Sequence, residues 1–228
     1  EGNLHGSLSQ IAHMNKKESI DVLSIRAEVD KGVFETAQTA PVFRDISGIM
    51  ELKKREFSLK GMKGFFGISP VTMEGKISDF ALPYPNIYTA EMKIQPNRDE
   101  VLWLLGKEKF RALDFKGPST LVLSGKGTDQ DYHINAQWDL TDAAYSFPDV
   151  LEKAKARKNQ FTAEIILNED AVNFSSFNYD LSPINVQGSM MFRYAGGMPS
   201  SFSIKSKTLD VRKVAEILPF LRKYNPAG

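Results

Sequence analysis

The chain repeats one stretch of residues in its two halves, and this duplication limits the folds open to it more than any other feature. Ser69–Gly75 reads SPVTMEG, and Ser182–Gly188, 113 residues later, reads SPINVQG. Upstream, Ile25–Asp30 is echoed by Ile134–Asp139 at an offset of 109 residues. Offsets that drift by a few residues are typical of a structural repeat with small loop insertions. Repeats stacked along one axis build long continuous surfaces, and such surfaces suit long ligands.

Apolar and polar residues alternate along most of the chain. In Ile134–Leu140 and Phe161–Leu167, for example, every second residue is apolar. The alternation predicts about ten to twelve strands, each with one apolar and one polar face. Turn residues between them, as in Asn168–Asp170, predict short connections and therefore antiparallel pairing. We expect a mainly β protein in which two tandem repeats of antiparallel strands form a curved, groove-like sheet with two or three short capping helices.

A first helix is predicted near residues 98–105. It follows Pro96, and Asn97 is placed to cap its first turn, with Glu100 completing a capping box. A valine and three leucines then form its apolar side. Gly106 is a suitable residue to end it.

A second helix is predicted near residues 210–223, where apolar residues follow Asp210 at helical spacing. Asp210 lies 111 residues after Asp99 and occupies the same place in the repeat. Pro219 falls inside this segment and should end or kink the helix. A third helical piece is predicted over residues 148–157.

The repeat divides the chain at about residue 113. The first predicted unit is 1–113, with the helix near 98–105, and the second is 114–228, with the C-terminal helix near 210–223. No Gly/Ser-rich or Pro-rich linker separates them, so we expect one continuous sheet and not two independent domains.

The composition excludes several classes of protein. Lys and Arg number 29 against 28 Asp and Glu, so the chain lacks the basic excess that nucleic-acid binding requires. It has no cysteine, and therefore no disulfide, thiolate chemistry or Cys-based zinc site. No run of about 20 apolar residues is present to cross a bilayer. The chain begins at Glu1 without a signal peptide and reads as a mature form or a piece of a longer protein.

Three histidines are the first candidates for chemistry. His5, His13 and His133 have no recognisable catalytic partner in the sequence and are interpreted as surface residues. No Gly-x-Ser-x-Gly elbow and no distinct pair of carboxylates is present either. We therefore expect no enzymatic activity and no cofactor.

Acidic residues and glycines form two further candidate sites. Asp129, Asp131, Asp139 and Asp142 lack the ligand order, the glycine and the closing glutamate of a calcium loop, so no metal is predicted, and the segment around Asp131 is interpreted as a hairpin turn. The three glycines of Gly61–Gly67 lack the ending of a phosphate loop and favour a bulge or close strand packing.

Bulky apolar side chains recur on one side of the predicted strands. One interpretation is an ordinary filled sandwich core. The other is an open groove that binds acyl chains, since each buried methylene contributes about 0.8 kcal/mol. We favour the groove because few helices are predicted to cover so much sheet and because Met and Phe adapt to a disordered chain. The predicted lining residues are Phe57, Leu59, Met73, Ile77, Phe174, Val186, Met190, Phe192, Phe202 and Ile204.

Four segments of the first repeat resemble the AsmA-like family of bacterial envelope proteins. They are Asp45–Gly48, Phe57–Gly64, Gly67–Val71 and Glu74–Phe80, which carry the family's Ile-Ser-Gly strand, Gly-punctuated strand pair and Gly-x-Ile-x-Asp strand. The second repeat keeps Ser182, Pro183 and Gly188 but replaces the earlier glycines. The resemblance covers nearly the whole chain.

The resemblance implies a function in lipid handling. Family members are similar to bridge-like lipid transfer proteins, which conduct phospholipids between inner and outer membranes along an apolar β-groove. They are periplasmic and are held in the inner membrane by a helix that would lie outside this chain, and an outer-membrane protein is a further expected partner. The alternative is an assembly module whose sheet edges pair with neighbouring repeats or an outer-membrane partner. A carbohydrate-active β-sandwich is the least favoured reading.

Overall fold

The computed structural model describes residues 24–35, 40–80, 85–194, 199–206 and 211–222. Within these ranges the chain forms fourteen strands and four short helices, which confirms a mainly β protein. The strands are β1 (Ser24–Phe34), β2 (Phe43–Lys53), β3 (Glu56–Phe66), β4 (Ser69–Ser78), β5 (Ile87–Ile94), β6 (Asp114–Lys116), β7 (Thr120–Gly127), β8 (Asp131–Asp139), β9 (Ala144–Phe147), β10 (Leu151–Lys153), β11 (Asn159–Asn168), β12 (Ala171–Leu181), β13 (Ile184–Arg193) and β14 (Pro199–Ser206). The helices are α1 (Arg98–Leu105), α2 (Lys107–Phe110), α3 (Val211–Ala215) and α4 (Pro219–Arg222).

Eleven of the described strands form one antiparallel sheet that is not closed. Their order is β1-β2-β3-β4-β5-β7-β8-β11-β12-β13-β14, and the remaining three form a small sheet in the order β10-β9-β6. The predicted repeat is visible in this order. β1 to β5 are followed by α1, and β8 with β11 to β14 are followed by α3. SPVTMEG begins β4, and SPINVQG leads into β13, the matching strand of the second set.

The chain divides into two compact units that are interleaved along the sequence. Unit 1 comprises residues 1–93, 123–134 and 167–169, and unit 2 comprises residues 94–122, 135–166 and 170–228. The sequence repeat, in contrast, divides the chain into two contiguous halves. The difference arises because β7, β8 and β11 each contribute residues to both units.

Strand β4 of unit 1 has one apolar and one polar face, as the alternation predicts. In β4, Val71 is buried and Met73 half-buried, whereas Pro70, Thr72 and Glu74 are exposed. The core of this unit is buried aromatic and aliphatic packing from β2, β3 and β4. Its members include Phe43, Ile46, Met62, Phe66 and Val71.

The first glycine of the Gly61–Gly67 segment forms the predicted bulge. The register of β3 against β4 shifts between Leu59 and Met62, and Gly61 has a φ of 57°. This left-handed backbone favours glycine because a side chain there would clash with the backbone. The extra residue keeps Met62 on the apolar face beside Met73.

The predicted helix at 98–105 is confirmed, although its cap differs from the expectation. Asn97 is the N-cap residue but makes no side-chain capping hydrogen bond, so the Asn97 half of the predicted capping box does not form. Glu100 is instead buried, with 3% of its surface exposed. Gly106 ends the helix with a φ of 93°, and its N–H donates to the Trp103 carbonyl.

The other two predicted helices need correction. Residues 148–157 contain no helix but a turn and the short strand β10, so that prediction is wrong. The C-terminal segment is not one helix but two, because α3 ends before Pro219 and α4 begins at it. Positions 210 and 223, the predicted ends, lie outside the described residues.

Candidate functional site

Four of the predicted lining residues lie together in unit 1. Phe57 pairs with Ile77 across β3 and β4, and Leu59 pairs with Gly75, two residues from Met73. Opposite residues of an antiparallel pair point to the same face, so all four side chains share one face of the sheet. All four are half-buried, intermediate between a filled core and a solvated surface.

The other six predicted residues share one face of unit 2. Met190 pairs with Phe174 on β12 and with Phe202 on β14. Val186, Phe192 and Ile204 continue the same face by alternation along β13 and β14. Phe202 and Ile204 are 65% and 49% exposed.

Helices α3 and α4 cover one end of this second face. Val214 and Ile217 pack with Leu181 and Ile184 in a buried cluster, and Val186 contacts its edge. The segment between α3 and α4 is also bonded to β10, because the Glu152 N–H donates to the Ile217 carbonyl at 2.7 Å. The face is therefore covered near Ile184 and becomes exposed at β14.

A cavity of about 420 Å³ lies within unit 2, and none of the ten predicted residues lines it. Its wall is built from α1, α2, β6 and the strands β8 to β12, and almost all the surface it presents is apolar. Pockets of this size and character are common small-molecule sites. The exposed lining residues Leu105, Phe110 and Val150 mark the mouth of the cavity, whereas Val101 and Phe115 are buried.

The small sheet places three buried side chains in one row, and two of them line the cavity. Tyr145 on β9 pairs with Phe115 on β6 and with Lys153 on β10. The rings of Phe115 and Tyr145 stack with their centroids 6.2 Å apart. The row therefore connects two apolar lining residues, Phe115 and Tyr145, to the buried ammonium group of Lys153.

Lys153 is 1% exposed, yet its charge is satisfied by backbone groups. Its ammonium donates to the carbonyls of Leu140 and Thr141 at 2.7 and 2.6 Å and also to that of Ala143. Three donors therefore meet three acceptors, which leaves no N–H for a ligand. Burial lowers the pKa of this ammonium, and the carboxylates of Asp142 and Asp139 oppose that effect.

The hydroxyls of Tyr145 and Tyr179 are hydrogen-bonded to each other at 2.6 Å. The Asn159 side-chain amide donates to both, at 3.1 Å in the case of Tyr179. Burial raises the pKa of both tyrosines above the ordinary 10.0, so they remain neutral. The third polar group of the wall, the Trp138 indole N–H, donates to Ser119 at 3.1 Å. The polar atoms of the lining side chains thus bond within the protein, and the rings face the cavity.

The sequence offered little signal for this site. Trp138 and Phe161 fall in strands that the alternation predicts, but β6, β9 and β10 have only three or four residues and show no period. Aromatic residues are hardly more frequent between 107 and 151 than the chain average of 11%, so composition gave no signal for the site either.

The remaining candidates that the structure describes are an exposed histidine and a hairpin turn. His133 is exposed and lies 3.3 Å from the Asp131 carboxylate on the same strand, while His5 and His13 lie outside the described residues. The turn before β8 is confirmed, with Thr128 accepting from the Asp131 N–H at 3.2 Å. Across the described ranges no three His, Cys, Asp or Glu side chains converge on a possible metal position.

None of the helices in the described ranges has the length and apolar character needed to span a bilayer.

Comparison with known proteins finds no matching family model, no similar curated protein and no similar solved structure.

Proposed function

We propose that this chain is a non-enzymatic lipid-handling segment that binds acyl chains, and the observation that carries the proposal is the apolar cavity of unit 2. Its wall offers an acyl chain contact with rings and aliphatic groups and with almost no polar atom. Each methylene that leaves water contributes about 0.8 kcal/mol, so a long chain gains several kilocalories per mole there. The half-buried faces of β3–β4 and β12–β14 supply further apolar surface in each unit.

The cellular setting of the proposal comes from the AsmA-like resemblance. In that setting the segment is periplasmic and tethered to the inner membrane through residues outside this chain. It binds phospholipid chains, or conducts them along an apolar β-groove towards the outer membrane, where an outer-membrane protein is a further partner.

The test of the proposal is lipid bound to the natively purified protein. Organic extraction and mass spectrometry should find acyl lipids, and the delipidated protein should regain them from phospholipid vesicles. Val150→Trp places a bulky ring at the mouth, because Val150 lines the cavity and is 49% exposed. We expect this variant to carry several-fold less lipid.

Val33→Trp is the matched control. Val33 is 66% exposed on β1, in unit 1, and the same substitution there should leave the bound lipid unchanged. Absence of lipid from the wild type, before and after reloading, would refute the proposal.

The open sheet favours an assembly module as a second candidate. Among the described strands β1 and β14 end the order, and the edge of a sheet offers backbone donors and acceptors to another strand. This candidate predicts that the purified chain associates at micromolar concentration, as measured by light scattering, and that a proline at alternate positions of β14 prevents association.

A further inference from the structure

The wall chemistry of the unit 2 cavity determines which part of a lipid can enter it. The hydroxyls of Tyr145 and Tyr179 bond to each other and to Asn159, and the Trp138 N–H bonds to Ser119. A polar group inside the cavity would lose its water against a wall that presents almost no polar surface. The end of a ligand that occupies this space should be unsubstituted hydrocarbon.

The size of the cavity limits the occupant to one chain. A cavity of about 150 Å³ holds benzene, with six carbons, so about 420 Å³ has room for about 17 carbon atoms at the same ratio. One long acyl chain fills this volume, and the second chain of a phospholipid does not fit beside it.

Basic residues adjoin Phe110, one of the residues at the mouth. Phe110, at the mouth, ends the short helix α2, which also carries Lys107 and Lys109, and Arg111 follows directly. All three residues are exposed, and their charged side-chain groups make no hydrogen bond or ion pair within the described part of the chain. The acidic residues that adjoin the mouth are Glu108, in the same helix, and Asp149, which precedes Val150, so the three cations outnumber them. The cluster, which we call the α2 cations (Lys107, Lys109 and Arg111), favours an anionic group outside the mouth.

We propose that the cavity binds a single acyl chain of an anionic amphiphile with its methyl end first, while the α2 cations hold the head group outside. The inference rests on the proposed function and specifies its ligand. The apolar wall selects an unsubstituted hydrocarbon tail, and the α2 cations select a negatively charged head group.

Three probes of equal chain length test the two selections in the full chain. They are hexadecanoate, 16-hydroxyhexadecanoate, which adds a hydroxyl at the far end, and hexadecyltrimethylammonium, which reverses the head-group charge. Each is titrated below its micelle concentration against the neutral dye N-phenyl-1-naphthylamine bound to the protein. We expect hexadecanoate to bind at least about ten-fold more tightly than the hydroxylated probe, because an unpaired buried hydroxyl is costly. Hexadecanoate should also bind several-fold more tightly than the cation, and added salt should reduce this difference.

The triple variant Lys107→Glu/Lys109→Glu/Arg111→Glu separates the two selections. It should lose the preference for the anionic head group and keep the discrimination against the hydroxylated tail. Lys155→Glu is the control, because Lys155 is exposed in the same unit and lies outside the α2 cations. It should keep both preferences.

Equal affinity for all three probes in the wild type would overturn the inference and leave lipid binding intact, and this comparison needs no variant to fold. An undiminished preference for the anion in the triple variant would overturn the role of the α2 cations. Failure of every probe to displace the dye, together with absence of lipid from the native protein, would overturn the proposed function as well.

Discussion

Lys153 shows how a single buried charge organises the wall of the cavity. A buried ammonium is unfavourable unless its donors are satisfied, and here three backbone carbonyls accept them. These carbonyls belong to Leu140, Thr141 and Ala143, in the segment that joins β8 to β9. Lys153 therefore holds that connection against β10 and acts on the shape of the site, not on its chemistry.

Lys153→Met should lower the free energy of unfolding by about 2–4 kcal/mol. The substitution keeps the length of the side chain but leaves the Thr141 and Ala143 carbonyls without the Lys153 donor, at about 1 kcal/mol or more each, and the Leu140 carbonyl with the Ala143 N–H alone. Chemical denaturation followed by circular dichroism measures the change. Lys116→Met is the control, since that side chain is 76% exposed and pairs only with Asp114, and it should change stability by less than about 0.5 kcal/mol. Similar losses in the two variants would contradict the role given to Lys153.

The tyrosine pair predicts a specific behaviour in alkali. Burial raises the pKa of Tyr145 and Tyr179 above 10.0, so the folded protein keeps these protons while the unfolded chain releases them near pH 10. The stability that the pair contributes is present below about pH 10 and is lost as the pH rises towards the raised values.

Near-ultraviolet absorbance just above pH 10 should show fewer ionised tyrosines in the folded protein than in guanidinium, where all seven titrate. The variant Tyr145→Phe/Tyr179→Phe should reduce the signal in guanidinium by two tyrosines and leave the folded signal unchanged. An equal reduction in both conditions would show that the pair ionises in the folded state.

At the scale of elements, the two repeats place matching glycines in different surroundings. Gly75 and Gly188 hold the same position in the SPVTMEG and SPINVQG segments. A Cβ at Gly75 would lie 3.6 Å from its nearest neighbour, an ordinary contact. A Cβ at Gly188 would collide with the Ser203 carbonyl on β14 and lie 2.7 Å from the Phe177 ring. Gly188 thus permits the close approach of β12, β13 and β14.

Gly188→Ala should therefore destabilise the protein by about 1–3 kcal/mol, because a backbone carbonyl must move to admit the methyl group. Gly75→Ala is the matched substitution and should change stability by no more than about 1 kcal/mol, in the stabilising direction if at all. Thermal unfolding of the two variants side by side tests the pair. A Gly75→Ala variant that lost as much stability as Gly188→Ala would refute the difference between the repeats.

Long elements were predictable from the sequence and short ones were not. The strands around Met73 and Met190 have ten residues each, so their alternation fixed which side chains share a face. The helix at 98–105 was predictable because an apolar side and Gly106 define its length. Residues 148–157 were misread because three-residue strands have no period, and because Lys153 is drawn inward by carbonyls that are distant in sequence. The cavity depends on those short strands and was therefore missed.

At the scale of the whole molecule, the helices that the structure describes leave part of the sheet's apolar face exposed. Eleven strands form the large sheet, whereas the described helices have eight residues at most. α3 and α4 cover the face of unit 2 near Ile184 and leave Phe202 exposed. An apolar face of this kind normally packs on another layer or binds a ligand. The proposed function assigns that role to acyl chains.

A lysine substituted into the apolar face tests whether lipid chains move along the sheet or are held in the cavity. Met190 and Met191 are adjacent on β13, half-buried, and point to opposite faces. If chains move over the apolar face, Met190→Lys should slow lipid transfer between vesicles by about ten-fold, because a passing chain would have to strip water from the ammonium. Met191→Lys alters the opposite face and should transfer lipid at the wild-type rate. Fluorescent phospholipid transfer between donor and acceptor vesicles measures both. Unchanged transfer in Met190→Lys, combined with lost transfer in Val150→Trp, would mean that the protein carries one chain at a time in the cavity and that the sheet face takes no part.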